Sequence, residues 1–89
     1  MLLETVREIM SSVTLELVAS VRNPFASKKR KKIIEIDKKT SIRSLLLKEG
    51  FEESELEFLI AILNGSRTTH DQLLSDNDHI WITLPIGGG

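Results

Sequence analysis

The residues best placed to do chemistry in this chain are its last ones, Leu84-Pro85-Ile86-Gly87-Gly88-Gly89. Glycines that follow a strand have no core to join, and their backbone freedom predicts a mobile tail. Residues 86–89 span roughly 13–14 Å when extended. That reach admits the tail to a narrow channel in a partner protein, where side chains would obstruct entry. The group so presented is the α-carboxyl of Gly89. On the tail alone, a frayed end is an equally good reading.

Other chemistry finds less support. There is no cysteine, so disulfides, thiolate metal sites and a cysteine nucleophile are excluded together, as a cytoplasmic protein would allow. His70 and His79 lie near Asp71, Asp76 and Asp78, but turn chemistry accounts for those aspartates and no metal is expected. Ser66, Thr68 and Thr69 have no orienting acid at a spacing that makes a nucleophile. The glycines at 50, 65 and the end make no phosphate loop. The run Lys28-Lys29-Arg30-Lys31-Lys32 invites a nucleic-acid reading. Only Phe25 could stack on a base nearby, so a solvated loop is preferred, with steering of an acidic partner as the alternative.

These residues need elements to hold them. Val13, Leu15, Leu17, Ala19 and Val21 alternate with polar residues, which predicts a half-buried strand from Val13 to Val21. Asn23-Pro24 ends it. A second strand is expected over Ile33–Asp37, making residues 23–32 the hairpin tip. Thr40 or Ser41 can cap a helix whose apolar face is Ile42, Leu45 and Leu46, and Gly50 is placed to end it. Glu52, Glu53, Glu55 and Glu57 read as a solvated connection with room for one helical turn. Phe58–Leu63 has strand length and is closed by Asn64-Gly65, a hairpin signal. A short strand is expected around Arg67–His70. Asp76-Asn77-Asp78 then forms a turn in which Asn77 accepts positive φ. In the last strand Ile80, Ile82 and Leu84 face one way and Trp81 and Thr83 the other. Residues 1–12 read as an extension with a helical stripe of Leu2, Leu3, Val6, Ile9 and Met10, either docked or frayed, or a partner or dimer contact, or incidental if translation begins at Met10.

With 89 residues and a formal net charge of −1, the chain has room for one domain and no global attraction to nucleic acid or anionic membrane. No apolar run reaches membrane-spanning length, and Glu4, Arg7 and Glu8 interrupt any signal peptide. One helix across a four- to five-stranded mixed sheet makes a two-layer α+β domain, which the β-grasp (ubiquitin-like) fold fits economically. The domain expected is 13–85, followed by the tail 86–89.

The final third resembles the ThiS/MoaD family of ubiquitin-like sulfur carriers. The pieces that carry the resemblance are Ala61-Ile62-Leu63-Asn64-Gly65, then Leu73-Leu74, then Asp76-Asn77-Asp78, and Pro85 ahead of Gly88-Gly89. The resemblance extends over roughly residues 13–89. Asn77 stands where the family usually has glycine, Gly87 lengthens the tail, and residues 1–12 have no counterpart in short members. The resemblance implies a co-substrate and not an enzyme. A ubiquitin-activating-type adenylyltransferase would use ATP to adenylate Gly89, a sulfur donor would convert it to a thiocarboxylate, and an acceptor synthase subunit would take the sulfur. Gly88 would keep the adenylation site clear. No bound cofactor, nucleic-acid partner or membrane partner is implied. Molybdopterin or tungstopterin synthesis is favoured slightly over thiamine thiazole synthesis. The alternatives are a modifier forming isopeptide bonds and a non-catalytic β-grasp binding module. Trp81 would point away from the helix as a docking anchor, and the resemblance places Ile62 and Ile60 beside it. Otherwise Trp81 is semi-buried under a loop or under the N-terminal helix.

Overall fold

Alternating burial decides how the first strand faces. In the computed structural model, which describes residues 10–18 and 21–85, β1 runs Met10–Leu17. Val13, Leu15 and Leu17 are buried on one face, and Thr14 and Glu16 lie partly exposed on the other. The expected Val13–Val21 strand is therefore displaced toward the N-terminus. Met10, Ser11 and Ser12, assigned from sequence to the extension, pair with Asp37, Ile36 and Glu35. The rest of the expected N-terminal helix, residues 1–9, lies outside the described residues. β1 stops at Leu17 because the Arg30 guanidinium donates to the carbonyls of Leu17, Val18 and Val21. Val21, the last of these acceptors, is buried in the core.

β2 runs Lys31–Asp37, antiparallel to β1. This corrects the reading of the basic run as a solvated tip. Lys28 and Lys29 sit in the loop, while Arg30 folds inward and Lys31 and Lys32 belong to the strand. Lys32 Nζ lies 2.7 Å from Glu49 and 5.4 Å from the Phe25 ring centroid, a position its aliphatic stem reaches along the sheet.

Helix α1, Ile42–Lys48, begins at Ser41, whose hydroxyl accepts the Ser44 N–H. Ile42, Leu45 and Leu46 are buried, as the i, i+3, i+4 spacing requires. At its end the Gly50 N–H donates to Leu47 and the Phe51 N–H to Leu46. With Gly50 at φ 111°, this is the glycine-terminated Schellman arrangement. The acidic stretch forms the single helical turn for which the sequence left room. Glu53–Leu56 form α2, and Glu55 accepts two bonds of 2.7 Å from Arg22 and one from the Glu52 N–H.

β3 is Ile60–Leu63, shorter than the apolar run because Phe58 turns outward, 60% exposed, and Leu59 turns into the core. Asn64 and Gly65 take φ 49° and 91° and close the hairpin to β4, Ser66–Thr68. The expected strand up to His70 ends early, since the His70 ring bonds the Leu59 carbonyl at 2.8 Å. β5 is His79–Thr83, after a turn in which Asn77 has φ 69°. The sheet order is β2-β1-β5-β3-β4. β1 and β5 run parallel at its centre, and the other neighbours are antiparallel. The core lies between this sheet and α1, with Leu15, Ile42, Leu46, Ile80 and Ile82 at 0% exposure. Among the described residues no helix is long and apolar enough to cross a membrane.

Candidate functional site

The central position of β5 organises the site. Ile80 and Ile82 are buried, so the period-two geometry of a strand sends His79, Trp81 and Thr83 to the open sheet face, opposite α1. Trp81 is 39% exposed. Directly beside it are Ile62 of β3 and Glu16 of β1. Ile60 lies opposite Thr83 on the same face, and Arg67 lies beyond Ile62. The open face thus carries a row Arg67–Ile62–Trp81–Glu16–Lys31 across the strands. Ile62 thus lies directly beside Trp81, where the resemblance put it, while Ile60 lies one pair further along, opposite Thr83.

What the sequence did not disclose is the polar mooring of this aromatic. The indole N–H donates to Glu16 Oε1 at 2.9 Å, and His79 Nε2 lies 2.9 Å from the same oxygen. The two rings meet edge to face with centroids 5.0 Å apart. The bond from Trp81, with the one from His79 next in size, holds the Glu16 carboxyl below its ordinary range. An anchor tied at its polar end keeps its apolar ring outward and spends little further entropy on docking. The only sequence hint was that Glu16 occupies an outward position of β1; the parallel register that brings it to Trp81 is non-local.

A second feature marks the point where the chain leaves the sheet. Arg22, Glu55, Phe58, Leu59 and Leu84 line a groove of about 240 Å³. Its neighbour Pro85 is exposed. Ile86, Gly87, Gly88 and Gly89 lie outside the described residues. Among the described residues, His70 and His79 have no third histidine, cysteine or carboxylate grouped with them as a metal site would need.

No family model matches the chain, and no curated protein matches it. Solved structures do. The protein described as molybdopterin converting factor subunit 1 from Pyrococcus furiosus aligns with TM-score 0.65 and 18% identity over 85% of this chain and 99% of that one. Small archaeal modifier protein 1 from Methanosarcina acetivorans aligns with TM-score 0.64 and 22% identity over 90% and 98%. The Haloferax volcanii protein of the same name aligns with TM-score 0.64 and 14% identity over 89% and 100%. At such identities the likeness is one of fold, and it agrees with the architecture that the ThiS/MoaD resemblance implied: the chain has the β-grasp (ubiquitin-like) fold.

Proposed function

We propose that this chain is a ubiquitin-like sulfur carrier whose reactive group is the Gly89 carboxylate. The observation that carries the reading is the moored aromatic patch of Trp81, Ile62 and Ile60 on the strand pair that includes β5. The same β5 continues through Leu84 and Pro85 into the glycine sequence. A partner that grips the patch is thereby positioned to receive the tail. Support also comes from the fold shared with a molybdopterin converting factor subunit.

A carboxylate is a poor electrophile, so activation must precede transfer. In the proposed sequence a Gly89 oxygen attacks the α-phosphorus of ATP on an adenylyltransferase, pyrophosphate leaves, and an acyl adenylate remains. A sulfide equivalent (HS−) released by a sulfur donor attacks the acyl carbon, AMP leaves, and a thiocarboxylate remains. Its sulfur then attacks an electrophilic carbon of an acceptor held by a synthase subunit and displaces an oxygen leaving group, and water hydrolyses the resulting thioester, returning the Gly89 carboxylate and leaving a thiol on the acceptor. Molybdopterin or tungstopterin synthesis is the preferred destination, ahead of thiamine thiazole synthesis. The β-grasp domain is a co-substrate throughout, contributing docking and reach.

The second reading uses the same adenylate with a lysine amine as nucleophile and yields an isopeptide bond. The fold shared with small archaeal modifier proteins favours it. Intact mass of protein from its native host separates the two. Replacement of one oxygen by sulfur at the terminus supports the carrier, and larger adducts on other proteins support the modifier. Trp81→Ala should weaken capture by the adenylyltransferase with little loss of fold. If Gly89 stays unlabelled with cognate adenylyltransferase and ATP, both readings fail.

A further inference from the structure

One edge of the sheet combines outward backbone groups with an exposed apolar side chain. Among the described residues β2 is an edge strand, and an edge presents unpaired backbone donors and acceptors. Which residues present them follows from the ladder. The Leu17 N–H donates to the Arg30 carbonyl at 2.7 Å, in the same register that pairs Val13 with Ile34 and Leu15 with Lys32. Arg30, Lys32, Ile34 and Ile36 therefore turn their peptide groups toward β1, and Lys31, Ile33, Glu35 and Asp37 turn theirs outward. These outward residues are also exposed, and Ile33 is exposed to 74%, more than any other large apolar side chain among the described residues.

Lysines on an edge usually keep other strands away. Here they occupy only one end. β2 reads Lys31-Lys32-Ile33-Ile34-Glu35-Ile36-Asp37, basic at its start and acidic at its finish. In an antiparallel pair of two such strands the basic start of each meets the acidic finish of the other. We propose that two copies of this chain associate through β2 about a two-fold axis at Ile33, forming one continuous sheet. Each Ile33 exchanges both backbone hydrogen bonds with Ile33 of the second copy, and their side chains cover one another. Each Lys31 faces Glu35 of the second copy. Neighbouring registers with the same hydrogen-bond parity are worse: one sets Ile33 against Glu35, another sets it against Lys31. The two-fold contact is isologous, so every favourable pair occurs twice. On the open face Lys31 already adjoins Glu16, so the second copy's Glu35 extends an existing row of alternating charge.

This inference does not rest on the tail chemistry, and deletion of Gly88 and Gly89 should leave the association unchanged. The test is sedimentation velocity of the full chain from micromolar to millimolar concentration, with amide hydrogen exchange. A concentration-dependent dimer is expected in which the Ile33 and Glu35 amides gain protection as concentration rises. Lys31→Glu and Glu35→Lys, each placing two like-charge pairs in the contact, should each weaken the dimer about tenfold. The double variant Lys31→Glu/Glu35→Lys should recover it. The proposal is overturned by a chain that stays monomeric at millimolar concentration. A dimer indifferent to both single reversals, or one in which the Ile33 amide exchanges freely, overturns it as well.

Discussion

The Arg22–Glu55 pair offers a test in which sign, size and pH window all follow from geometry. Glu55 accepts two guanidinium bonds of 2.7 Å and a backbone bond of 2.6 Å from Glu52. Arg22 in turn donates to the Gly50 carbonyl at 2.9 Å and lies 5.7 Å from the Phe51 ring centroid. Arg22 first, then the Glu52 N–H, hold the Glu55 carboxyl down from 4.5 to about 2. At about 1.4 kcal/mol for each tenfold change in proton affinity, that fall sets a ceiling of roughly 3 kcal/mol. Arg22 is 51% and Glu55 25% exposed, so water screens the pair, and about 1–2 kcal/mol is the expected contribution. Because the folded state depresses this carboxyl, its stabilisation is complete above about pH 4.5 and fades as pH falls toward about 2. Glu55→Gln should cost about 1–2 kcal/mol in urea unfolding at pH 7, or roughly 5–10 °C in melting temperature. The gap from wild type should narrow steadily from pH 5 to pH 3. A gap that is the same at pH 7 and pH 3 would refute the assignment of this stability to the ionised pair.

Further substitutions separate backbone, core and surface effects. Gly65→Ala meets no atom within 4 Å but must hold φ 91°, so about 1 kcal/mol should be lost in urea unfolding. Gly50→Ala adds a contact at 3.0 Å with the Pro24 side chain at φ 111° and should cost more, about 2 kcal/mol by the same measurement. Ile82→Ala empties a site with 0% exposure at the sheet centre and should cost about 2–5 kcal/mol. Ile33→Ala, by contrast, should change monomer stability by less than about 0.5 kcal/mol, measured at a concentration where the chain is monomeric.

Much of this molecule is determined by neighbours in the sequence. Ser41 caps α1 and Gly50 ends it through bonds a few residues long, and Asn64 and Asn77 adopt positive φ because asparagine tolerates it, Gly65 because it has no Cβ to clash. The outward aim of Trp81 follows from the apolar alternation of Ile80 and Ile82. Other features had no local signature. Arg30 reads as one more cation in a basic run until Leu17, Val18 and Val21 offer it carbonyls from across the hairpin. Glu55 reads as one more solvated acid until Arg22, far away in sequence, reaches it. Phe58 belongs to an apolar run by composition, but the chain leaving α2 turns it to solvent. The Glu16–Trp81–His79 cluster exists only because β1 and β5 lie side by side in parallel register. Period and turn chemistry are encoded over a few residues, so the sequence alone determined the order of the strands and the main helix and the outward aim of Trp81, but not where β1, β3 and β4 begin and end. Partners across the sheet are chosen by burying every apolar face at once, and only the tertiary structure could decide that.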